Sequence, residues 1–265
     1  MRTPIRASEQ ELRALAAIVS QDRPDLPAGE GLPPSLLADL MGQIRCDAVG
    51  FSGFDSGRQQ IWFSQRIQGD DCGEELDPAP SQAWWELYRE CTFCTYSDRS
   101  GDLRSVVKNA DFYSAPRWHA TGMYSDVCRP QGFEHVLLLY LPEPPGRVTG
   151  PGRTVRLYCY RGSGLDFSER DRALLVLLRP HLYQAYLDVE RRHHPVPRLT
   201  PRQNDLLRLL AAGHTNTQIA RQLGISEGTV RTHLENIYDK LGVSSRTAAV
   251  TRAFPDLVAS SRVSA

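Results

Sequence analysis

The sequence predicts an α+β body followed by a small all-helical domain, and three observations carry this prediction. Short strand-like apolar runs occur up to residue 161, whereas apolar residues recur at helical spacing after residue 199. A proline-containing break, HHPVPRL (193–199), separates the two regions. The charge divides at almost the same place: residues 1–190 hold 20 Lys+Arg and 26 Asp+Glu, and residues 191–265 hold 11 and 5. The net charge of zero therefore combines an acidic body with a basic end, a pattern typical of nucleic-acid contact by one half of a chain.

Several protein classes are excluded by the apolar runs and the cysteines. The longest apolar runs, VLLLYL (136–141) and ALLVLL (173–178), are six residues each, whereas a membrane-spanning helix needs about 20. The patch LAAIV (15–19) lies among charged residues and lacks the features of a secretory signal. All six cysteines lie in the acidic body, which is sparse for a disulfide-bonded secreted domain. We expect a soluble cytoplasmic protein with reduced thiols.

The body opens with helices and continues with strands. Ser8 and Glu11 form a capping box that predicts a first helix over residues 9–20, followed by a connector over 22–34. The remaining predictions for this part are a helix over 35–44, strands over 47–55 and 59–67 joined by a Ser-Gly hairpin turn, a helix over 77–91, and an irregular segment over 92–130.

Two strong strands and a long helix close the body. The strands are predicted over 135–142 and 154–161, with a Pro/Gly-rich loop between them. The helix is predicted over 166–192, with Ser168 and Asp171 as its capping box. Pro180 removes one helical hydrogen bond, so a kink or break is expected there. Together these elements predict an antiparallel sheet with helices.

The last 67 residues carry start and stop signals for four helices. Thr200-Pro201 begins the first helix, Thr215 or Asn216 caps the second, Ser226 caps the third, and Ser244 or Ser245 caps the fourth. Val230, Leu234, Ile237 and Leu241 give the third helix, 227–241, one apolar face. The second and third helices, joined at the turn G-I-S (224–226), form a helix-turn-helix pattern.

The polar face of the 227–241 helix predicts contact with DNA. In a helix-turn-helix, the second helix enters the major groove with its N-terminal residues nearest the bases. Arg can bond guanine and Glu can accept from cytosine, while hydroxyl groups and basic side chains suit phosphates. The candidate DNA-binding residues are Thr217, Arg221, Ser226, Thr229, Arg231, Thr232, His233, Glu235, Asn236 and Lys240.

This region resembles the LuxR/GerE (NarL-type) DNA-binding domain. The matching pieces within residues 199–250 are L-T-P-R, T-x-x-I-A-x-x-L-x-I-S, T-V-x-x-H-x-x-N-I and the closing R-T-x-A. The resemblance implies a four-helix domain that binds DNA as a dimer. The two copies would pair through the last helix (about 245–254). Gln203-Asn204 replace the Glu and polar residue common in the family, which puts one helix-to-helix contact in doubt.

Three interpretations of the body compete. A phosphoryl receiver opens with a strand and needs a late lysine, but this body opens with a helix and its one lysine is Lys108. An acyl-homoserine-lactone domain has W-x-x-x-Y, but Trp62 is followed by Arg66, and Asp77 precedes Trp84 by only seven residues. The element order resembles a GAF-like sensor, and residues 161–182 resemble the end of the sensor half in many actinobacterial LuxR-type regulators. The GAF-like interpretation is preferred, with the lactone-binding domain as an alternative.

Aromatic residues of the body could line a sensor pocket, because ligand sites are mostly apolar with a few polar groups. Packing in the core is the competing explanation for each of them. The candidates are Trp62, Trp84, Trp85, Tyr88, Trp118, His119 and Tyr124. Adjacent tryptophans on a helix face different ways, so at most one of Trp84 and Trp85 is expected to line a pocket. A single C-x-x-C at Cys91 and Cys94 does not predict a metal site, and two buried thiols are expected there rather than a redox pair.

No phosphate-binding, dinucleotide-binding, zinc-protease or nucleophile-elbow motif is present, so nothing recommends an enzyme. We expect a transcription regulator without a cofactor or metal, organised as a helix and connector (1–30), a GAF-like sensor (31–192), a linker (193–198) and a DNA-binding domain (199–265). Its expected partners are double-stranded DNA, a second copy of the chain, RNA polymerase and a small-molecule effector. The alternative is a body that serves only as a platform for dimerisation or for a protein partner.

Overall fold

The computed structural model describes residues 18, 23–27, 29–69, 71–73, 80–144, 152–193, 199–243 and 245–254. The chain divides into two compact units: the first comprises residues 1–142 and 150–193, and the second contains residues 194–265. The predicted first helix with its Ser8 cap lies outside the described residues except for Ile18, as do residues 194–198 of the predicted linker. None of the described helices is both long and apolar enough to span a membrane.

Six antiparallel strands form the sheet of the first unit, in the order β3-β2-β1-β6-β5-β4. They are β1 Ala48–Asp55, β2 Gln60–Gln68, β3 Asp71–Gly73, β4 Val107–Lys108, β5 His135–Leu141 and β6 Arg153–Arg161. The predicted hairpin is confirmed, since Asp55 lies opposite Gln60 across the turn. The four predicted strands are confirmed, whereas β3 and β4 were not predicted because they are only three and two residues long.

The two faces of the sheet support two separate cores, because successive side chains of a strand point to opposite faces. On one face, Leu137, Leu139 and Leu157 pack with α1 (Pro34–Ile44) and α5 (Glu169–His193). On the other face, Leu138 and Tyr140 belong to an aromatic cluster. We call these the helical face and the aromatic face of the sheet.

Short helices cover the aromatic face. They are α2 (Gln82–Glu90), α3 (Tyr96–Ser100), α4 (Ala115–His119) and a π-helical turn (Met123–Cys128). The α2 helix begins later than the predicted residue 77, because the Ser81 hydroxyl accepts from the N–H of Trp84 and caps it. The segment predicted to be irregular therefore contains several helical turns.

The long helix α5 runs from Glu169 to His193 without a break, so the break that we considered at Pro180 is absent. Pro180 is exposed, and the buried Leu178 and Leu182 on either side of it hold the helix against the sheet. Burial of such side chains offsets the loss of one backbone hydrogen bond. The capping box is confirmed: Ser168 N donates to Asp171 at 2.8 Å, and Asp171 N donates to Ser168 Oγ at 3.2 Å.

The described part of the second unit contains four helices, as predicted: α6 (Pro201–Ala211), α7 (Asn216–Leu223), α8 (Glu227–Leu241) and α9 (Arg246–Ala253). Their N-caps are Thr200, Thr215, Ser226 and Ser245, and each hydroxyl accepts a backbone N–H three residues later. The predicted apolar face of α8 is confirmed, since its four residues are all buried in the core of this unit.

Candidate nucleic-acid interface and ligand pocket

A tight turn joins α7 to α8 and positions the second helix. Gly224 has φ 64°, the left-handed conformation that favours glycine, and the N–H of Ile225 donates to Ala220 O at 3.0 Å. Two residues later, Ser226 begins α8 by accepting from Thr229 N at 3.1 Å. Ile219 of α7 and Val230 of α8 are both fully buried in the shared core. The turn and this core hold the pair in the arrangement of a helix-turn-helix.

The face of α8 opposite this core is polar and exposed. Arg231, Glu235, Asn236 and Lys240 are exposed there, as is Arg221 on α7. None of these five side chains has a hydrogen bond or ion pair with another described residue. The described structure of the unit leaves these five side chains unbonded, so their donors and acceptors are available to a partner.

The hydroxyl-bearing candidates already have partners near the start of α8. Thr217 Oγ1 donates to Glu227 at 3.2 Å, and the hydroxyls of Ser226 and Thr229 lie 2.8 Å apart. Thr232 Oγ1 donates to Gly228 O at 3.2 Å. His233, the remaining candidate, is half-buried. The hydroxyl-bearing residues thus meet near the N-terminal end of α8, where they also stabilise the helix itself, whereas His233 lies near its middle.

Two arginines of the family-like pieces L-T-P-R and R-T-x-A, to which the sequence analysis gave no role, tie the helices of this unit together. Arg202 of α6 donates to Leu223 O at the end of α7. Arg246 of α9 donates to Leu210 O at 3.3 Å and to His214 O. Gln203, at the position where a helix-to-helix contact was in doubt, instead completes a capping box with Thr200. Arg202 supplies the link between helices, and no local pattern could have shown this.

The aromatic face of the body contains a cavity of about 330 Å³. It lies between α2 and the β1–β2 turn, and its lining includes Trp85, Tyr88, Thr95, Asp98, Ser56 and Gln59. Trp85 is 2% exposed, and its Nε1 is buried with no hydrogen-bond partner among the described residues. An unpartnered buried N–H is costly, so this group is suited to a hydrogen-bond acceptor that enters the cavity.

The predicted ligand-site candidates Trp84 and Trp85 on α2 and Trp62 on β2 lie in three different environments. Trp85 lines the cavity, whereas its neighbour Trp84 is half-buried and stacks on Tyr88 at 5.7 Å. Trp62 lies on the opposite, helical face, where its Nε1 donates to Glu30 at 3.0 Å and Arg153 covers its ring. Trp62 therefore does not line the cavity beside Trp85. A register shift in the β1–β2 pairing at Gly53/Phe54 places Trp62 there.

Trp118, His119 and Tyr124 meet at Glu134 rather than at the cavity. Trp118 Nε1 donates to Glu134 O at 3.0 Å, His119 Nε2 bonds to Glu134 Oε1, and Tyr124 OH donates to Glu134 Oε2 at 3.0 Å. Burial opposes ionisation of Glu134, but the bonds from His119 and Tyr124 bring its pKa below the ordinary value. These three candidates act as a clamp that holds the 111–126 segment to the start of β5.

The residue at the centre of the aromatic face, Arg156 of β6, was not predicted. It is 0% exposed, and its guanidinium donates to Tyr88 OH at 2.7 Å and to Cys94 O at 3.1 Å. Asp98 lies 3.6 Å away, and the rings of Phe54, Tyr88 and Tyr140 surround the charge. A charged residue between Val155 and Leu157 in a buried strand was a signal that could have identified it.

The Tyr88 hydroxyl links this buried arginine to the cavity, because it also donates to Asp98 at 2.7 Å. Burial raises the pKa of Tyr88 far above its ordinary range, so the hydroxyl remains protonated. The cavity thus has a wall of fixed polar groups. No group of three or more His, Cys, Asp or Glu side chains suited to a metal ion occurs among the described residues.

Comparison with known proteins places the second unit in a family. Residues 197–253 match the family described as bacterial regulatory proteins, luxR family (GerE), so this unit is a LuxR-family helix-turn-helix domain. The probable transcriptional regulatory protein SgaR of Hyphomicrobium methylovorum is 48% identical over 79 residues, 29% of this chain and 37% of that protein. The putative HTH-type transcriptional regulator YhjB of Escherichia coli (strain K12) is 51% identical over 51 residues, 19% of this chain and 26% of that protein. The chain thus spans about a third or less of the length of these relatives.

A solved structure of SdiA in complex with octanoyl-rac-glycerol matches the whole architecture. Its TM-score is 0.50 at 15% sequence identity, and the alignment covers 94% of this chain and 96% of that chain. At this identity the likeness shows the fold alone: a body built on a sheet, followed by a helical domain.

Proposed function

We propose that the protein is a sequence-specific DNA-binding transcription regulator whose recognition helix is α8. The observation that carries the proposal is the row of exposed, unengaged side chains on α8, including Arg231 and Glu235, in a LuxR-family domain. Helices of this kind read base edges from the major groove through such side chains. This surface supports the proposal of a regulator because it suits a nucleic-acid partner.

In this proposal the candidate residues divide between bases and backbone. Arg231, Thr232, Glu235 and Asn236 face the bases, because they lie on the exposed side in the first three turns of α8. Phosphate contacts are assigned to the remaining candidates, Thr217, Arg221, Ser226, Thr229, His233 and Lys240. The family resemblance assigns dimerisation to α9, and a dimer would read two half-sites. A cytoplasmic location and contact with RNA polymerase belong to the same proposal.

The DNA proposal is tested by selecting duplexes from a random library with the full chain and then comparing variants on the selected site. Arg231→Ala and Glu235→Ala should each relax preference at one or two base pairs, at a cost of about 1–3 kcal/mol. Lys240→Ala should weaken all sequences alike and lower the slope of log K against log salt by about one.

Arg208→Ala is the matched control for the basic residues. Arg208 is exposed on α6, outside the helix-turn-helix pair, and its removal changes the charge by the same amount. We expect it to leave base preference intact. If base preference were unchanged in both the Arg231 and Glu235 variants, α8 would not be the helix that recognises the DNA sequence.

We also propose that the body is a GAF-like sensor that binds a small molecule in the cavity beside Trp85. The unpartnered Nε1 of Trp85, the hydroxyl of Tyr88 and the surrounding rings suit an apolar molecule that carries a hydrogen-bond acceptor. The test is mass spectrometry of the natively purified full chain, with identification of any molecule that organic extraction releases.

Two adjacent tryptophans offer a matched pair of variants. Trp85→Phe keeps an aromatic ring in the cavity lining but removes the unpartnered N–H, so it should lower the affinity for the extracted molecule by about tenfold. Trp84→Phe makes the same chemical change outside the cavity lining and should leave the affinity unchanged. Equal effects of the two variants would argue against this binding site.

The alternative of a body that only supports dimerisation or a protein partner also has an observation in its favour. Val176 and Leu177, on the outer side of α5, are 47% and 69% exposed. A full-length protein that is purified without any bound molecule, and whose association state changes with Leu177→Ser, would favour this alternative.

A lactone-type ligand is a less favoured alternative within the sensor proposal. The fold resembles that of SdiA, but Arg66 lies where a lactone-binding domain has tyrosine. Trp62, the tryptophan of the same motif, lies on the helical face and not at the cavity. Identification of an acyl-homoserine lactone in the extract would restore this alternative.

A further inference from the structure

Two cysteines adjoin each other at the end of α2. Cys91 follows the last residue of α2, and Thr92–Thr95 form the turn that leads into α3. The turn brings the backbone N–H of Cys94 to 3.3 Å from Cys91 Sγ, to which it donates a hydrogen bond. A disulfide joins sulfurs about 2.05 Å apart, so a small movement of this turn would suffice to form one.

The two thiols have different environments. The hydrogen bonds from the Cys94 thiol and N–H, and from the Tyr113 hydroxyl, lower the pKa of Cys91 despite its burial. Burial raises the pKa of Cys94. A sulfur stabilised as thiolate beside a protonated thiol is the arrangement of an attacking and a resolving cysteine. Cys94 is half-buried and is the more exposed residue of the pair, since Cys91 is 2% exposed.

A second pair of thiols provides an internal comparison. Cys46 and Cys159 also neighbour each other, but both are buried in the core of the helical face. The pKa of Cys159 is raised well above its ordinary value by the neighbouring Cys46 thiol and by burial. Unlike Cys94, neither residue of this second pair is half-exposed.

We propose that Cys91 and Cys94 form a reversible disulfide and thus a redox-modification site in the body. With a hydroperoxide as oxidant, the Cys91 thiolate attacks one peroxide oxygen: an S–O bond forms, the O–O bond breaks, and hydroxide or alkoxide leaves and takes up a proton. The Cys94 sulfur then attacks the Cys91 sulfenic acid: an S–S bond forms, the S–O bond breaks, and water leaves with the Cys94 proton. Two thiols are oxidised by two electrons, and the peroxide is reduced by two.

Formation of the disulfide would change the environment of the buried Arg156. Cys94 O accepts from Arg156 Nη1 at 3.1 Å, and Arg156 in turn donates to Tyr88 OH in the wall of the cavity. Movement of the Cys94 turn therefore changes the environment of Tyr88 and of Trp85, whose ring centroid is 5.4 Å from that of Tyr88. Oxidation should alter the tryptophan fluorescence of the protein.

The experiment titrates the reduced full chain with hydrogen peroxide, alkylates the remaining thiols and maps tryptic peptides by mass spectrometry. Cys91 and Cys94 lie in one peptide, residues 90–99, between Arg89 and Arg99. We expect this peptide to resist alkylation, to lose two hydrogens and to be restored by dithiothreitol. Peptides 46–58 and 157–161, which contain Cys46 and Cys159, should still be alkylated at the same peroxide concentration.

Two variants complete the test. Cys94→Ala should leave Cys91 as a sulfenic acid that dimedone traps, and should abolish the fluorescence change. Cys46→Ala, the matched change in the other pair, should leave the 90–99 disulfide intact. The proposal is overturned if the 90–99 peptide oxidises no earlier than the Cys46 and Cys159 peptides, or if Cys91 or Cys94 instead pairs with Cys128 or with a second chain.

Discussion

The two units place their candidate functional residues in opposite ways. In the second unit, Arg231, Glu235 and Lys240 lie on the outside of a helix and have no partner among the described residues. In the first unit, Trp85 and Trp118 are almost fully buried, and most candidates there have structural contacts. The comparison shows that a surface for a large partner can be recognised one helix at a time, whereas a pocket exists only once distant segments have assembled.

The same contrast offers a way to measure the units separately. All four tryptophans lie in the first unit, so tryptophan fluorescence reports on its unfolding alone. Both units contain helices, so far-ultraviolet circular dichroism follows the two together, and a part of its transition that fluorescence lacks reports on the second unit. Coincidence of the two transitions would indicate that the units unfold together.

The largest effect is expected from Arg156→Met. The variant leaves the acceptors Thr154 Oγ1, Cys94 O and Tyr88 OH without their buried donor, and each buried group left unsatisfied costs about 1–3 kcal/mol. In urea denaturation, the fluorescence transition should move to lower concentration. An unchanged midpoint would show that the aromatic face does not depend on this charge.

A slightly smaller effect is expected from Ile237→Ala in the second unit. Ile237 is fully buried in the helical core, and deletion of such a side chain costs about 2–5 kcal/mol. The neighbouring Asn236→Ala, on the exposed face, should change the free energy of unfolding by less than about 0.5 kcal/mol. Circular dichroism should separate the two variants, and equal shifts would contradict the assignment of the two faces of α8.

The smallest effect concerns the Glu134 clamp. Because the folded pKa of Glu134 lies below its ordinary value of 4.5, the carboxylate adds stability above that value. This stability is lost as the pH falls through the lower folded pKa. Glu134→Gln should therefore reduce stability at neutral pH and match the wild type in strong acid, as measured by the fluorescence midpoint across the pH range. A pH-independent difference would point to lost packing instead.

The sequence could predict much of the fold because most of its signals are local. Hydroxyl caps, turn glycines and apolar spacing placed all four helices of the second unit and the main strands of the first. The strands β3 and β4 escaped prediction because two or three residues show no periodicity. The continuity of α5 through Pro180 depended on burial on both sides of the proline, which local rules do not include.

The sequence by itself determined the DNA-binding unit, because each of its helices carries its own start, stop and apolar face within 15 residues or fewer. Only the tertiary structure decided where the candidate residues of the body lie. Pairing of β1 with β6, about a hundred residues away in sequence, brings Arg156 beneath the aromatic rings, and a register shift turns Trp62 to the other face. Such placements depend on contacts between distant segments, and a local pattern contains no information about them.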